Sequence, residues 1–416
     1  MSFRATFTVI MIVAFRSAIA ANWPQWRGPD GTGVGSESEF PIKWSQTENI
    51  AWKKQLPGPG NSTPIVWNDR VFITQAIDKG ARRAVMCFDR KDGNVLWQKE
   101  IAFAGTETTH ADNPYCSASP VTDGEMVVAW HGSAGLVAYD FSGKELWLKD
   151  LGAFDHIWGN ASSPLIYGDK VIAYCGPGLN CFIVALNKKS GGELWRIPLP
   201  DAQAKKPGDF FGAWMSPVIR SYNGKTELLA ALPNKLVAYN LDTQKPIWSC
   251  EGTGPLSYTN PLYGGDTIVY MSGYGGPSIG VRDGGEGDVT ASHRLWRIDK
   301  GNPQRVGSGV ISGDHLYILN EPGTAECIET KTGTSVWKNK VASNSWSSMA
   351  LCGDKLYAVD MQGTCAVLKA STDFAERGKN ALKEMTRASP AFSNGQIFIR
   401  TYQNLYCVGQ EIGVRR

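Results

Sequence analysis

A two-residue turn between two apolar runs recurs eight times along this chain of 416 residues. Each turn consists of Gly, Asn or Asp, which tolerate the positive φ that a tight hairpin turn requires, so each repeat predicts a β-hairpin. A period of this length indicates stacked or circular repeats and not an irregular domain. The eight turns are Asn68-Asp69, Asp123-Gly124, Gly168-Asp169, Asn223-Gly224, Gly264-Gly265, Gly313-Asp314, Gly353-Asp354 and Asn394-Gly395.

The sequence around each turn predicts a four-stranded sheet. In the first copy, residues 63–67 and 71–74 flank the turn, and residues 84–88 and 95–97 follow as the third and fourth strands. Alternating β-branched and aromatic residues between Gly, Asn and Asp turns are typical of strands. The fourth strands carry a periodic Trp, which predicts one Trp packing slot between neighbouring sheets. These residues are Trp97, Trp147, Trp195, Trp248, Trp296 and Trp337.

The eighth copy ends after three strands, the last at residues 405–408. Residues 50–54 match residues 95–99 in register and supply a candidate for the missing strand. An N-terminal strand that completes the last sheet closes a ring and leaves few exposed edges. We therefore predict an all-β fold, an eight-bladed β-propeller of four-stranded antiparallel blades over residues 50–411, closed by the N-terminal strand.

Two segments depart from the repeat. In the seventh copy Phe374 lies where a Trp is expected, and residues 375–385 are the one stretch that predicts a short helix. Residues 273–288 are rich in Gly and contain Asp283, Glu286 and Asp288. Carboxylates are typical Ca²⁺ ligands, but their spacing does not match an EF-hand loop, so this segment is interpreted as a flexible surface loop.

Residues 1–20 have the pattern of a secretory signal peptide: an early Arg, an apolar run over residues 7–15 and the cleavage-type sequence Ala18-Ile19-Ala20. The apolar run is too short for a stable membrane anchor, and no later stretch is long and apolar enough to cross a bilayer. We expect an exported protein, periplasmic or extracellular, in which residues 21–49 form an N-terminal extension before the propeller.

Composition excludes some classes of function. With 42% hydrophobic and 19% charged residues, the chain has ordinary globular composition. Its net charge is +3, and +1 without residues 1–20, which gives no sign of nucleic-acid binding. We expect a monomer.

The chain has nine Cys, so at least one is unpaired within a single chain. Cys87, Cys327 and Cys407 occupy a position where other repeats have Ala, which predicts small, buried, apolar residues. Cys175 and Cys181 could face each other across a hairpin. The sequence has no CxxC pair, which excludes zinc-ribbon, thioredoxin-like and c-type haem sites.

The third and fourth strands of the repeats carry a recurring phrase: CFDRKDGNVLW at residues 87–97, AYDFSGKELW at 138–147 and CIETKTGTSVW at 327–337. It resembles the pyrroloquinoline-quinone (PQQ)-like repeat, whose consensus is Ala-x-Asp-x-x-Thr-Gly-x-x-x-Trp. The whole chain, including WPQWRGP at residues 23–29, is similar to secreted PQQ-like propeller proteins of planctomycete type. It more distantly resembles quinoprotein alcohol dehydrogenases and the propeller lipoprotein of the outer-membrane assembly machinery.

The resemblance implies a fold and leaves the activity open. In the family's dehydrogenases the quinone stacks between a Trp and a disulfide of two adjacent Cys, and carboxylate and amide groups hold Ca²⁺. No two Cys are adjacent in this chain, so PQQ with Ca²⁺ is a hypothesis that the cysteines do not support. The assembly lipoprotein uses the same fold as a non-catalytic scaffold, and the fold therefore does not decide the function.

Propeller topology brings one set of side chains together. The residues before each inner strand, and the loops between the second and third strands, surround one mouth of the central channel. Aromatic faces beside Asn, Asp and His are typical of sites that stack against and hydrogen-bond a ligand. The sequence predicts a binding mouth, with no catalytic or metal-ligating residues, formed by His110, Asp112, Tyr115, His131, His156, Trp158, Asn160, Trp214, Tyr258, Trp346 and Arg387.

Three functions follow from these observations. The first is an exported, non-catalytic propeller that binds a small-molecule ligand or a protein partner through this loop face. The second is a PQQ- and Ca²⁺-dependent oxidoreductase acting on alcohols or sugars. The third is a glycan- or cell-wall-binding protein. The strong repeat pattern without a catalytic motif favours the first.

Overall fold

The computed structural model describes residues 21–206 and 208–410 of the chain. Eight antiparallel blades, each with four strands, follow one another around a central channel, so the predicted eight-bladed β-propeller is confirmed. Within the described residues, no helix has the length and apolar character needed to span a membrane. The predicted signal peptide, residues 1–20, lies outside the described residues.

The first four blades contain these strands, from the inner to the outer edge. Blade 1 has Ile65–Trp67, Arg70–Ile77, Arg82–Asp89 and Val95–Ala102; blade 2 has Val121–Thr122, Met126–Trp130, Leu136–Asp140 and Glu145–Lys149; blade 3 has Leu165–Tyr167, Lys170–Cys175, Phe182–Asn187 and Glu193–Pro198; blade 4 has Val218–Tyr222, Lys225–Leu232, Lys235–Asn240 and Pro246–Glu251.

The remaining blades follow the same order. Blade 5 has Leu262–Gly264, Thr267–Met271, Ser278–Arg282 and Arg294–Ile298; blade 6 has Val310–Ser312, His315–Asn320, Thr324–Glu329 and Ser335–Lys340; blade 7 has Ala350–Cys352, Lys355–Val359, Thr364–Lys369 and Glu376–Ala381; blade 8 has Ala391–Ser393, Gln396–Arg400, Asn404–Val408 and, at its outer edge, Ile50–Gln55.

A few short elements lie between or beside the blades. Val34–Gly35 pairs with the inner strand of blade 7, Gly287–Asp288 pairs with the outer strand of blade 4, and Gly212–Ala213 pairs with Leu256–Ser257, all in parallel. The helical elements are Asp78–Gly80, Gly132–Ala134, Pro200–Ala202 and Thr290–His293.

The hairpin turns explain why the sequence repeats Gly and Asn. Six turns lie at the predicted residues, the blade 5 turn is one residue later, at Gly265-Asp266, and the blade 2 turn is longer and spans residues 123–125. In all but the blade 2 turn, the first turn residue has φ between 46° and 62°. Most residues with a side chain seldom adopt positive φ; Gly adopts it freely, and Asn adopts it more readily than the other residues.

The periodic Trp residues lie between blades, as predicted. Trp97 stands opposite Cys87 in its own blade, and its indole N–H donates to the Phe141 carbonyl of blade 2 at 3.0 Å. Gly143 lies in the turn after the third strand of blade 2. A Cβ at this position would lie 2.9 Å from the Trp97 ring, so residue 143 must be Gly. The small residues opposite Trp, including Cys87, Cys327 and Cys407, are fully buried.

The predicted closing strand is confirmed. Ile50–Gln55 pairs antiparallel with Asn404–Val408, and Trp52 lies opposite Cys407. The Trp52 indole N–H donates to the Arg90 carbonyl of blade 1 at 2.7 Å. The N-terminal strand therefore completes blade 8 and also makes the Trp contact between blades 8 and 1.

The predicted helix over residues 375–385 is wrong, because Glu376–Ala381 is the outer strand of blade 7. Gly378, and not Phe374, holds the register position of the Trp, opposite Val367. The reason is that the N-terminal extension crosses this slot, where a Cβ on Gly378 would lie 2.4 Å from the Ile42 carbonyl oxygen. Trp44 from the extension is buried there, at 4% exposure.

The interpretation of residues 273–288 as one surface loop is also wrong. Ser278–Arg282 is the third strand of blade 5, and its side chains are largely buried. Asp283 follows it and makes a bidentate ion pair with Arg220, whose other carboxylate partner is Glu227. All nine Cys are buried free thiols, so Cys175 and Cys181 do not form a disulfide.

A closed ring of eight hydrogen bonds surrounds the channel. One residue in each blade, just before the inner strand, donates its backbone N–H to the side-chain oxygen of the equivalent residue in the next blade, at 2.8 to 3.1 Å. We call these residues the hydroxyl ring, since seven carry a hydroxyl group. They are Thr63, Ser119, Ser163, Ser216, Asn260, Ser308, Ser348 and Ser389.

The N-terminal extension, residues 21–49, crosses the opposite end of the channel, and we call it the strap. Trp23 exchanges two backbone hydrogen bonds with Val66 of blade 1. The buried Arg27 guanidinium donates to carbonyls on the far side, those of Ser308 and Gly309 in blade 6. The strap therefore spans the channel and closes one end of it.

A buried cluster around Glu107 anchors the crossover loop between blades 1 and 2. Arg83 and Glu107 form an ion pair at 2.9 Å with 2% of each side chain exposed. Tyr115 stacks on Arg83, and Asn160 donates to Glu107. His131 packs beside them, buried, and its carbonyl accepts from Arg83, so these three candidate residues support the crossover loop from below.

We expect the hydroxyl ring to contribute measurably to stability. Ser119→Ala leaves the buried Thr63 N–H without its acceptor, which costs about 1–3 kcal/mol. Urea unfolding measures the loss, and Ser36→Ala, which removes an exposed hydroxyl in the strap, is the matched control. Equal stability of the two variants would contradict a structural role for the ring.

We also expect His131 to make the protein sensitive to acid. Burial, followed by the charge of Arg83, lowers the pKa of His131 from 6.5 to about 3. Below pH ~6.5 the unfolded chain binds a proton that the folded chain excludes, so stability falls by up to about 1.4 kcal/mol per pH unit.

His131→Leu should flatten this slope when unfolding free energies are compared at neutral pH and about pH 5. His110→Asn, at a histidine whose side chain is 52% exposed, is the control and should retain the slope. An unchanged slope in His131→Leu would exclude His131 as the source.

Candidate functional site

The open end of the channel is a cavity of about 370 Å³, which we call the cup. Its volume lies within the range of small-molecule sites. Trp26 of the strap lines it together with members of the hydroxyl ring, among them Thr63 and Ser389. The strap thus contributes to the floor of the cup, at the end of the channel away from the loop face.

The residues that form the wall of the cup occupy the same position in each blade. The residue two places before each hydroxyl-ring residue lines the cavity in every blade, because alternate residues of an extended chain point the same way. In blade order these eight wall residues are Asn61, Ser117, Ala161, Trp214, Tyr258, Val306, Trp346 and Arg387.

The wall residues divide the cup into two sides. Arg387, Asn61 and Ser117 come from consecutive blades 8, 1 and 2, and form a polar arc. Blades 4 to 7 supply Trp214, Tyr258, Val306 and Trp346, and form an apolar arc. The small Ala161 of blade 3 lies between them. A ligand with one polar edge and one apolar ring face would match both arcs.

A second tier of aromatic residues extends the apolar arc toward the mouth. The Trp158 ring centroid lies 5.5 Å from Trp214, 6.1 Å from Tyr258 and 5.9 Å from Tyr274. His156 packs edge-on against Trp214 at 4.8 Å and is buried, which lowers its pKa. Mutual packing of these rings holds them in place and leaves their outer faces for a ligand.

The polar arc is organised around Arg387. Its side chain is 9% exposed, donates to Asp112 at 2.7 Å and to the Tyr402 hydroxyl, and lies 4.7 Å from the Trp346 ring centroid. Its Nε is buried and has no partner among the described residues. His110 approaches Asp112 at 3.6 Å from the exposed side.

The structure brings seven of the eleven predicted residues to the cup: His110, Asp112, Trp158, Trp214, Tyr258, Trp346 and Arg387. Tyr115, His131 and Asn160 belong instead to the Glu107 cluster, and His156 lies behind the aromatic side. Side-chain chemistry and loop position do not reveal whether a side chain points into the channel or into the layer beneath it.

Several lining residues were missed by the sequence analysis. Asn61, Ser117, Ala161 and Val306 are chemically inconspicuous, but each stands two places before a hydroxyl-ring residue, and that spacing is visible in the sequence. Trp26 carried no such signal, because nothing in the repeat places the strap inside the channel.

The cup does not fit the quinone and calcium arrangement that the resemblance implies. Asp112 is the one carboxylate among the described lining residues, and it is bonded to Arg387. Among residues 21–206 and 208–410, no three His, Cys, Asp or Glu side chains cluster as metal ligands would. With no adjacent cysteines in the chain, the disulfide platform of the dehydrogenases has no counterpart.

Known proteins resemble this chain along most of the propeller. A curated outer membrane protein assembly factor BamB from Burkholderia pseudomallei is 22% identical over 315 residues, 72% of this chain and 71% of that protein. An uncharacterised Rickettsia conorii protein is 22% identical over 68% of this chain and 64% of its own length. Quinohemoprotein alcohol dehydrogenase ADH IIB of Pseudomonas putida is 27% identical, but the match spans only 27% of that enzyme.

Solved structures show the same fold at low identity. BamB from Moraxella catarrhalis superposes with a TM-score of 0.58 at 15% identity, over 88% of this chain and 98% of that chain. A europium-containing methanol dehydrogenase superposes with a TM-score of 0.68 at 11% identity, over 92% and 90%. Likeness at this level establishes architecture and carries no activity.

The family model described as outer membrane protein assembly factor BamB matches residues 34–178, 80–278 and 285–374. Since these segments cover most of the propeller, this chain belongs to the PQQ-like repeat family that this model represents.

Proposed function

We propose that this protein is an exported, non-catalytic binding propeller that holds a ligand in the cup. The observation that carries the proposal is the division of one pocket into a contiguous polar arc and a contiguous apolar arc. Pockets of this size with an apolar lining and a few convergent polar groups are typical ligand sites.

The ionisable groups of the cup support binding over catalysis. Arg387 donates to the Asp112 carboxylate at 2.7 Å, and the His110 Nδ1 accepts the Asp112 backbone N–H at 3.2 Å, so these three groups mainly hold one another in place. A general base or nucleophile needs a free partner within hydrogen-bond reach of the substrate. The hydroxyls of the ring already accept backbone N–H groups, and no described base lies beside them as in a nucleophile pair.

A glycan is one ligand class that the two arcs support. A sugar ring has an apolar face that stacks on Trp and Tyr, while its hydroxyl groups exchange hydrogen bonds with amides and charged groups. In the cup, Trp158 and Trp214 offer the stacking side, and Asn61 and Arg387 offer the polar side.

A protein partner on the same face is the second candidate. Leu179, Phe210 and Tyr274 are 51%, 57% and 56% exposed, which is high for large apolar residues, and Phe210 packs edge-on against Trp158 beside the mouth. Relatives named outer membrane protein assembly factors share this fold. An apolar rim around the cup supports a docking role for the loop face.

We expect Ala161→Trp to fill the cup and abolish ligand retention. Ala161 is the small wall residue between the two arcs, so an indole there occupies the space that a ligand needs. Native mass spectrometry of protein purified from the envelope of its own host should show a bound small molecule in the wild type and none in the variant.

Tyr167→Ala, at an exposed aromatic residue at the turn end of blade 3, is the control and should retain the ligand. A ligand that survives Ala161→Trp would place binding outside the cup. A bound polypeptide that Phe210→Ser releases would favour the protein-partner candidate instead.

We expect no quinone-dependent activity. Because the cup lacks a disulfide platform and a free carboxylate set, the protein mixed with PQQ and Ca²⁺ should give no dye-linked oxidation of alcohols or sugars. Saturable binding together with dye reduction would overturn the non-catalytic proposal and support the oxidoreductase.

A further inference from the structure

Arg387 is the most unusual group in the cup because it is buried, charged and incompletely bonded. Its side chain is 9% exposed, and its Nε has no partner among the described residues, although buried guanidinium donors are normally satisfied. It lies two residues before Ser389 of the hydroxyl ring, at the blade 8 end of the polar arc, beside Trp346 of the apolar arc. The Arg387 side chain lines the cavity, so an acceptor that enters the cup contacts it.

Two further guanidinium groups lie next to residues that line the cup and are bonded to neutral groups. Arg400 is fully buried and donates to the Ser62 hydroxyl, the Thr74 carbonyl and the Gln75 amide oxygen; Ser62 lies between the lining residues Asn61 and Thr63. Arg27 lies 6.0 Å from the Trp26 ring and donates to backbone carbonyls. Buried charges with neutral partners leave a positive potential in their surroundings.

Two carboxylates beside the cup each bond one lining residue, and the second Glu321 oxygen has no partner among the described residues. Asp112 is 36% exposed and bonded to Arg387, and Glu321 accepts the Trp346 indole N–H at 3.1 Å. Arg387 is the charged donor among the described lining residues, and the low-dielectric walls of a pocket strengthen its attraction for an anion.

The hydroxyl ring adds donors to the cup. The Thr63, Ser348 and Ser389 oxygens each accept a backbone N–H, and within the described chain their own O–H groups have no acceptor. All three line the cavity. A carboxylate, which only accepts hydrogen bonds, is the group that such donors and an unsatisfied guanidinium bind best.

We propose that the cup binds an anionic ring compound, a cyclic carboxylic acid, with its ring against the apolar arc and its carboxylate against Arg387 and the hydroxyl ring. This inference rests on the proposed binding function and specifies its ligand class. In the free protein one Arg387 nitrogen, Nη2, donates to Asp112. The ligand carboxylate and Asp112 therefore compete for one guanidinium group.

Matched pairs of probes test this assignment. Quinaldate and glucuronate are cyclic acids, and quinaldamide and glucuronamide have nearly the same shape without the charge. Isothermal titration and the fluorescence of the lining residues Trp26, Trp158, Trp214 and Trp346 report binding. We expect at least one acid to bind about tenfold or more tightly than its amide, with affinity falling as salt rises.

Two substitutions give opposite expected results. Arg387→Gln should lower the affinity for the acid about tenfold and leave that for the amide nearly unchanged. Asp112→Asn should raise the affinity for the acid, since it removes the competing carboxylate, and a merely destabilised protein would not bind more tightly. Arg297→Gln, at an exposed arginine on the outer strand of blade 5, is the control and should change neither.

Equal affinity for acid and amide, no binding of either acid, or no gain from Asp112→Asn would overturn the anionic class. These outcomes differ from failure of the binding function itself. If a probe binds Ala161→Trp as tightly as the wild type, the cup is not the binding site and both proposals fail. If only the charge preference is missing, the cup remains a binding site for a neutral ligand.

Discussion

The hydroxyl ring is the constraint from which the rest of this propeller follows. Eight backbone N–H groups at the centre of the molecule cannot pair within their own blades, and each is bonded to the oxygen of the next blade. Buried backbone donors need such partners, so the ring fixes how closely the blades approach and how they are rotated. It also fixes the direction of the residue two places earlier, and thereby the whole wall of the cup. Scaffold and site are therefore set by the same short segment of each blade.

Much of the fold could be predicted because it depends on local patterns. Turn residues with positive φ, alternating strands and a Trp at each blade junction are properties of neighbouring residues, and they repeat. The errors arose where distant segments meet. Gly378 replaces a Trp because the strap passes over blade 7, and Ser278–Arg282 forms a strand in a Gly-rich segment because Thr267–Met271 pairs with it. No local pattern encodes either contact.

The sequence predicts which face of the propeller carries the candidate site, but it does not predict which side chains line the cavity. Propeller topology places the crossover loops at one mouth, and seven of the eleven residues named from these loops line the cup. Whether His131 points into the channel or into the layer below depends on Arg83 and Glu107, which pair only in the folded blades. Trp26 reaches the cup only because the strap crosses the channel. Packing between distant segments determines the direction of His131 and the position of Trp26, and local sequence patterns do not predict such packing.

Closure of blade 8 by Ile50–Gln55 has a consequence for the order of folding. Seven blades consist of consecutive segments and can form as the chain emerges, but the eighth needs a strand from near the start and three from near the end. Until they meet, the early strand is an unpaired edge with an uncovered Trp52, and such edges are prone to pair wrongly. Contacts between distant segments form slowly, so ring closure is expected to be the late, rate-limiting step. The chain would then be most vulnerable to proteases and aggregation just before the circle is complete.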